Sequence, residues 1–482
     1  MNTPLRRLAA MTLVLFLALL VAVTTIQFFQ APSLNADPRN RRTIYQEFNN
    51  HRGSIIVADT AVAYSEPSDD AYGYQRIYDD GKLYAPLTGF YSVVVGRSGL
   101  ERFSNDVLNG SDDSLWLTRL RNLTSGNDPQ GSSIELTIDP DVQEAAAKAL
   151  GDQRGAAVAV DTKTGAILAM VSSPTYDPND LATHSSGAAA QRYQELLDAD
   201  GDPLINRAIA GDTYPPGSVF KLVTAAAALE GSGLDLSELD GTDGYQLPLS
   251  SNVLGNFGGG ACSNSGKIDL ADALRISCNT AFADLGNQLG EQRLRAQAER
   301  FGFNESVNVP LPVTASRFPD DLDEPQTVLA AIGQGSVRVT PLQVALISAS
   351  IANNGIMMEP YLVEQVRTPE LSVTERTEPH EMGRVLSSTT AAQLTEMMVS
   401  VVESGTGTRA QISGVSVAGK TGTAQTTADQ APHAWFTGFA PANDPQIAVA
   451  VVVEHGGNTG NEATGGAVAA PVAAAMLRAG VK

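Results

Sequence analysis

The chain opens with an apolar run from residue 8 to residue 26 that carries no charged side chain. Nineteen helical residues reach roughly 28 Å, which is about the hydrocarbon thickness of a membrane. Arg6 and Arg7 stand just before the run, but it is longer than a typical secretory segment and no clean cleavage site follows it. We therefore expect an uncleaved anchor over residues 1–30, rather than a signal peptide that is removed, with the bulk of the chain outside the cytoplasm.

After the anchor, residues 31–130 alternate short β-rich runs with turns of Gly, Asp and Ser. The clearest strands are predicted at residues 54–58 and 90–95, and the turn-forming residues 126–129 mark a boundary. This pattern predicts a small, loop-rich β domain next to the membrane.

From residue 131 to residue 482 the pattern is typical of one larger α/β domain. Two apolar runs, 156–160 and 166–171, flank an Asp-Thr-Lys-Thr-Gly turn and predict a hairpin of buried strands. Further strands are predicted at 415–418 and 447–453, and Ala-rich helices near Ser218, over 340–353 and over 467–479. Because strands stand at both ends with helices between them, we expect an α/β sandwich whose sheet is closed by distant segments.

Composition narrows the possible functions. With 43% hydrophobic and 18% charged residues, the chain is too apolar to be disordered. It carries 32 Lys and Arg against 53 Asp and Glu, a net charge of -21, which repels phosphate backbones and excludes nucleic acid as a partner. Two cysteines cannot complete a four-ligand zinc site and the five histidines are scattered, so we expect no metal and no cofactor.

Cys262 and Cys278 are the two cysteines. They enclose a loop of about the length whose closure contributes roughly 3 kcal/mol to stability. Outside the cytoplasm we expect them to form a disulfide. The alternative is a pair of unrelated buried thiols.

The strongest candidate for chemistry is Ser218, which follows a Pro-Pro-Gly turn at the start of an apolar helix, with Lys221 three residues later on the same face. A serine hydroxyl becomes a good nucleophile when a neighbour takes its proton. A lysine can do so only when neutral, which requires burial or a second cation to lower its pKa from about 10.4. Taken alone, Ser-x-x-Lys is more often a helix cap followed by a surface lysine.

Lys420-Thr421-Gly422-Thr423 follows a predicted strand and supplies a second cation. A strand there would align an ammonium group with threonine hydroxyls, and the small Gly422 would let a substrate backbone approach closely. A second Lys-Thr-Gly copy at residues 163–165 lies in the predicted hairpin turn, so we assign it to structure.

Ser277-Cys278-Asn279 lies between these two segments, within the helical-looking stretch 270–285. Ser-x-Asn is a weak pattern that occurs elsewhere in the chain. A short break in the helix at this point would aim a hydroxyl and a carboxamide into one cleft, and a disulfide at Cys278 would stiffen it.

Ser218-x-x-Lys221, Ser277-x-Asn279 and Lys420-Thr421-Gly422, in that order, resemble the three signatures of penicillin-recognising serine enzymes. Longer stretches agree, namely Tyr214-Pro215-Pro216-Gly217-Ser218, Gly333-Gln334-Gly335, residues 434–441 and Arg52-Gly53-Ser54-Ile55. The chain is most similar to class B penicillin-binding proteins, above all those of the penicillin-binding protein A type.

This resemblance implies the penicillin-binding transpeptidase fold, an antiparallel sheet sandwiched by helices together with a mostly helical subdomain. It implies a D,D-transpeptidase that cross-links peptidoglycan stem peptides ending in D-Ala-D-Ala through a serine acyl-enzyme, and that β-lactam antibiotics acylate. The N-terminal region is too short for a glycosyltransferase domain, so the resemblance also implies a separate glycan polymerase as a partner.

The resemblance also implies a role for each site residue. Ser218 would attack, Lys221 would accept its proton, and Ser277, held with Asn279, would relay a proton to the leaving amine. Lys420 would help to keep Lys221 neutral and would hydrogen-bond Ser277. Thr421 and Thr423 would bind the terminal carboxylate, and the backbone N–H groups of Ser218 and Thr423 would form the oxyanion hole.

Two alternatives remain open at this point. A D,D-carboxypeptidase or a β-lactamase shares the motifs and differs in whether water or an amine takes the acyl group. Cys278, where many relatives carry Asp, argues against the β-lactamase. A non-catalytic β-lactam sensor would be expected to carry several membrane spans and a cytoplasmic effector, whereas this sequence has one predicted span.

Overall fold

The computed structural model describes residues 2–31, 34, 45, 47–110, 130–231, 233–307, 309–370, 372–425 and 430–482. The strands are β1 Ile55–Val57, β2 Thr60–Pro67, β3 Tyr74–Tyr78, β4 Tyr91–Ser92, β5 Gly96–Arg97, β6 Ser133–Leu136, β7 Gly155–Asp161, β8 Ile167–Ser173, β9 Leu239–Asp240, β10 Gly244–Gln246, β11 Val253–Gly255, β12 Lys267–Ile268, β13 Ile356–Met358, β14 Val363–Arg367, β15 Val373–Arg376, β16 Glu381–Arg384, β17 Ala418–Ala424, β18 His433–Ala440 and β19 Ile447–Val453.

The α-helices are α1 Asn2–Thr24, α2 Gly81–Thr88, α3 Gly99–Phe103, α4 Asn105–Leu108, α5 Pro140–Leu150, α6 Asn179–Ala182, α7 Ser186–Leu197, α8 Lys221–Leu229, α9 Leu270–Arg275, α10 Asn279–Arg300, α11 Glu324–Ala331, α12 Pro341–Ala352, α13 Ser388–Ser404 and α14 Ala470–Gly480. Short 3-10 turns lie at Gly217–Phe220, Thr408–Ala410 and Glu454–Glu462, and π-helical turns at Thr25–Phe29 and Gly465–Ala469.

A five-stranded antiparallel sheet in the order β17-β18-β19-β7-β8 forms the centre of the larger α/β region. β7 and β8 form the predicted hairpin, and β19 has the predicted bounds. The strand predicted at residues 415–418 is wrong in position, because Val415 turns back to hydrogen-bond the Ile412 carbonyl and β17 begins only at Ala418. The polar segment from Lys420 to Thr423 therefore lies within an edge strand rather than after it.

Both faces of this sheet are covered, which is why β18 and β19 are buried at every position. Ala156, Val158 and Val160 of β7 face the core that contains α8 and α12, whereas Ala157 and Ala159 face the core that contains α5 and α14. The strands of a sheet that is buried on both faces have continuous apolar sequences, in which apolar and polar residues do not alternate. The predicted sandwich, with distant segments closing the sheet, is confirmed.

The predicted helices are present with small differences at their ends. The helix predicted over 340–353 is α12, with Thr340 as its N-cap and Pro341 in its first turn. The helix predicted near Ser218 starts as a 3-10 turn and becomes α8 at Lys221, and α14 is preceded by a π-helical turn.

A second sheet of six strands has the order β15-β14-β6-β1-β2-β3, in which only β1 and β6 are parallel. It joins the N-terminal strands to β14 and β15 from far along the chain. The strand predicted at residues 90–95 is only two residues long, because the Ser92 hydroxyl accepts hydrogen bonds from the N–H groups of Val94 and Val95 and turns the chain. The boundary predicted at residues 126–129 lies outside the described residues.

The N-terminal apolar segment is helical from Thr3 to Phe29 and is not buried against the rest of the protein. Among the described residues it is the one helix long and apolar enough to cross a bilayer. It fits a single-pass membrane anchor.

Candidate active site

The turn that carries Ser218 is held against the edge strand of the five-stranded sheet. The N–H of Gly217 donates to the Gly333 carbonyl at 2.9 Å, and the Trp435 indole donates to the Pro215 carbonyl at 3.2 Å. Gly217 has a φ of +53°, and a Cβ there would lie 2.6 Å from the Thr423 carbonyl oxygen. Glycine is therefore required on both conformational and steric grounds, and it brings the Ser218 turn into contact with β17.

Lys221 begins α8 and is completely buried. The helix is buried at every position from Lys221 to Ala228, because α10 and α13 pack against it. The side chain of Lys221 therefore shares one helical turn with the half-buried Ser218 and is shielded from water. The surface-lysine alternative for this motif is wrong.

Ser277 lies in a break between two helices, as its sequence context predicts. α9 ends at Arg275, α10 begins at Asn279, and Ser277 between them has a φ of +61°. This left-handed conformation costs on the order of 1–2 kcal/mol for a residue with a Cβ. The break is what turns the Ser277 hydroxyl away from the helix axis and towards the two lysines.

The Ser277 hydroxyl accepts hydrogen bonds from both buried lysines. Lys420 Nζ lies 2.8 Å and Lys221 Nζ lies 3.3 Å from Ser277 Oγ. Lys221 Nζ also donates to the Ser277 carbonyl and to Asn279 Oδ1, each at 2.8 Å, and Lys420 Nζ donates to the Thr421 carbonyl at 2.8 Å. Three segments that are distant in sequence thus converge on one hydroxyl group.

Burial dominates the electrostatics of this cluster. It lowers the pKa of Lys420 from 10.5 to about 7. Burial, and next the positive charge of Lys420, lower the pKa of Lys221 well below 10.5. Each lysine is surrounded by hydroxyl, amide and carbonyl oxygens, and neither forms an ion pair in the part of the chain that the structure describes. A neutral amine is the form that can accept a proton from a hydroxyl group.

The Ser218 hydroxyl is not hydrogen-bonded to Lys221 in this structure. Among the described residues, the Lys221 amine makes its hydrogen bonds to Ser277 and Asn279. Catalytic hydrogen bonds are often long or misaligned without substrate and tighten when it binds. The two groups are nevertheless held one helical turn apart.

Thr421 makes a contact that the sequence does not predict. Its hydroxyl lies 2.5 Å from the hydroxyl of Thr406, which belongs to the loop after α13. Thr406 stands in a Ser-Gly-Thr-Gly-Thr run that is typical of an ordinary loop, so only the fold reveals its position. Thr423, at the end of β17, is half-buried and faces the Ser218 turn through its backbone.

Gly422 lies in close contact with neighbouring side chains, which the sequence does not predict. A Cβ at this position would lie 2.9 Å from Trp435 Cβ and 3.0 Å from Val219 Cγ1. The missing side chain therefore admits the turn that carries Ser218.

Cys262 and Cys278 form a disulfide with an S–S distance of 2.06 Å and a Cα–Cα distance of 6.0 Å. Cys278 lies between Ser277 and Asn279, so the bond ties the loop after β11 directly to the helix break. The prediction of a disulfide is confirmed, and the alternative of two separate thiols is excluded.

Comparison with known proteins gives two family matches. The penicillin binding protein transpeptidase domain matches residues 155–478, and the penicillin binding protein A dimerisation domain matches residues 52–134. The transpeptidase match covers the five-stranded sheet. It also includes Ser218, Lys221, Ser277, Asn279 and Lys420.

Individual relatives are similar over the full chain. The peptidoglycan D,D-transpeptidase PbpA of Mycolicibacterium smegmatis is 44% identical over 491 aligned residues, covering 100% of this chain and 99% of that protein. The protein of the same name from Mycobacterium tuberculosis is 41% identical with the same coverage. The ceftriaxone acyl-enzyme structure of penicillin-binding protein A from M. tuberculosis superposes with a TM-score of 0.88, covering 91% of this chain and 100% of that one.

The lowered pKa of Lys420 predicts a pH dependence of stability. Between about pH 7 and pH 10.5 the unfolded chain binds a proton at Lys420 that the folded chain does not, so stability is lost as the pH falls through this window. As the pH falls, we expect the free energy of unfolding of the wild type, measured relative to that of Lys420→Met, to decrease by at most about 1.4 kcal/mol per pH unit. Denaturant unfolding of the full chain in detergent at several pH values measures this.

Lys163 provides the control for this experiment, because its side chain is 61% exposed and pairs with Asp444 at the surface. Lys163→Met should follow the wild-type pH dependence. If wild type and Lys420→Met instead gave parallel curves from pH 7 to 10.5, the lowered pKa would be wrong.

Proposed function

Since the chain belongs to the penicillin-binding protein transpeptidase family, we propose that Ser218, Lys221, Ser277, Asn279 and Lys420 form its catalytic group. The protein is a peptidoglycan D,D-transpeptidase that works through a serine acyl-enzyme, and β-lactams acylate it covalently. The observation that supports the assignment of residues is the Ser277 hydroxyl, which accepts hydrogen bonds from two buried amines beside the Ser218 turn.

In the first half of the reaction, Ser218 Oγ attacks the carbonyl carbon of the penultimate D-Ala of a stem peptide. Its proton passes to the neutral amine of Lys221, an ester bond forms, and the peptide C–N bond breaks. Ser277 passes a proton to the departing nitrogen and regains one from protonated Lys221, so that free D-Ala leaves with the proton that Ser218 lost. Ser277 suits this relay because its hydroxyl is already in contact with both amines.

In the second half, the amine of a neighbouring stem peptide attacks the ester. A new C–N bond forms, the C–O bond to Ser218 breaks, and the proton that the attacking nitrogen gives up passes through Lys221 to the serine oxygen. The cross-link is the product. Lys420, whose positive charge disfavours a proton on Lys221, keeps the base available for each cycle.

We propose that β17 binds the terminal carboxylate of the substrate and contributes to the oxyanion hole. We assign the terminal carboxylate to the hydroxyls of Thr421 and Thr423, beside the Lys420 amine. The contact with Thr406 orients the Thr421 hydroxyl. The N–H groups of Ser218 and Thr423 form the oxyanion hole, which the approach of Gly217 to the Thr423 backbone supports.

We assign the chain to three parts, which are a cytoplasmic tip with the anchor at 1–30, a membrane-proximal β-rich domain at 31–130 and the transpeptidase domain at 131–482. The matched family ranges, 52–134 and 155–478, support this division. Because the family model that matches residues 52–134 is a dimerisation domain, we infer that a separate glycan polymerase supplies the strands to be cross-linked.

The catalytic domain belongs on the extracytoplasmic side, because its substrate is cell-wall peptide and Arg6 and Arg7 precede the anchor. Alkaline phosphatase fused after residue 482 should be active in cells, and green fluorescent protein fused at the same point should be dark. An inactive phosphatase fusion together with a fluorescent one would reverse the assigned orientation.

Ser218→Ala should abolish covalent labelling by a fluorescent penicillin, because the variant lacks the oxygen that forms the ester. Thermal unfolding should remain cooperative, since Ser218 is only half-buried and the turn around it is held by Gly217 and Trp435. A denaturing gel after exposure to the label measures the adduct.

Ser251→Ala is the matched control, because Ser251 is exposed in a loop. It should label like the wild type. Labelling of the Ser218→Ala variant at the wild-type level would disprove the assignment of the nucleophile.

A further inference from the structure

The first turn of α10 is capped by a residue that lies outside its own helix. The residue that precedes the helix is Cys278, and it provides no side-chain hydrogen bond to the exposed N–H groups. Asn256, which follows β11, supplies the acceptor instead. Its Oδ1 accepts hydrogen bonds from the N–H of Asn279 at 2.9 Å and from the N–H of Thr280 at 3.1 Å. This is the bonding pattern of an N-cap, provided across the fold.

The other end of the Asn256 carboxamide is also fully used. Its Nδ2 donates to the carbonyls of Thr242 at 2.8 Å and Gly260 at 3.0 Å. Two donors face the oxygen and two acceptors face the nitrogen, so only one orientation of this amide satisfies all four partners. Asn256 thus connects Thr242 and Gly260 to the first residues of α10.

The neighbouring carbonyl sets the orientation of Asn279. Asn279 Nδ2 donates to the Gly255 carbonyl at 3.0 Å, which leaves its Oδ1 to accept from Lys221 Nζ at 2.8 Å. Because Gly255 and Asn256 are adjacent, the position of the cap fixes the position of this carbonyl. A rotated Asn279 amide would instead point an N–H group at the Lys221 amine.

Apolar packing anchors β11 but not the residues that follow Asn256. Leu254 of β11 packs against the core, whereas Phe257, directly after Asn256, is 73% exposed. The hydrogen bonds of Asn256 and the Cys262–Cys278 disulfide are the ties to the helix break. Polar ties of this kind specify one geometry, which apolar contacts do not.

We propose that Asn256 is a positioning residue for the transpeptidase reaction, which holds Asn279 in the orientation that receives the Lys221 amine. The inference rests on the roles proposed above for Asn279 and Lys221. Asn256 has no contact with the reacting atoms assigned here, and it acts through the first turn of α10 and the Gly255 carbonyl.

The test measures the second-order rate constant of acylation by a fluorescent penicillin in the full chain, from pH 5 to pH 9. Asn256→Ala should lower this constant at least tenfold, mainly in the acylation step and not in initial binding. Asn279 Oδ1 stabilises the charged form of Lys221 more than the neutral form, so its loss lowers the pKa of the base. The acidic limb of the pH profile should therefore move to lower pH.

Two further variants separate positioning from a general effect on folding. Asn264→Ala removes an exposed amide from the same loop and should stay within twofold of wild type. If Asn256→Ala does not fold, Asn256→Gln takes its place, since one additional methylene moves the same amide out of register.

A double-mutant cycle with Asn279→Ala tests whether Asn256 acts through Asn279. In the Asn279→Ala background, Asn256→Ala should cost less than threefold, because the residue through which it acts is already absent. Fully additive losses would overturn the inference, as would a loss without movement of the acidic limb, or an Asn256→Ala variant within twofold of wild type. If Asn279→Ala itself acylates at the wild-type rate, it is the proposed role of Asn279 that fails.

Discussion

Two lysine side chains buried within hydrogen-bonding distance of one serine hydroxyl are the constraint on which the rest of this structure depends. Neither Lys221 nor Lys420 forms an ion pair among the described residues, and both are inaccessible to water. Burying an unpaired charge is expensive, so the amines respond by giving up their protons more readily. That response favours the neutral amine of Lys221, which is the form that the proposed role as a base requires.

Each of these three segments is held in position by a different structural feature. The Ser218 turn depends on Gly217 and Gly422, which let it approach β17 more closely than any side chain would allow. Ser277 depends on its own left-handed backbone conformation between two helices, and Asn279 on hydrogen bonds to Gly255 and Asn256 at the end of β11. The sheet is covered on both faces, so β17 is a rigid edge to which the other two segments are fitted. The strained backbone of Ser277 thus lies in the candidate active site.

The sequence was sufficient to predict the anchor, the β7–β8 hairpin, β19, α12 and the helix break at Ser277, because each has a strong apolar period or a clear terminal signal. It placed β17 too early, since an edge strand of small and polar residues lacks the apolar pattern that marks β19. It also overestimated the strand at residues 90–95, where a serine hydroxyl ends the pairing. Thr406 and Asn256 could not be predicted, because their roles depend on hydrogen bonds between residues that are distant or unpatterned in sequence.

The most direct test of this account is the titration of the lysine side chains themselves. The chain contains only seven lysines, so a protein labelled with 13C at the lysine Cε position gives a spectrum simple enough to follow with pH, and Lys221→Arg identifies the resonance of Lys221. The account predicts that the pKa of Lys221 lies well below 10.5 and that the pKa of Lys420 is about 7. A Lys221 resonance that titrates close to 10.5 would contradict it, because the base would then be protonated at the pH at which the enzyme works.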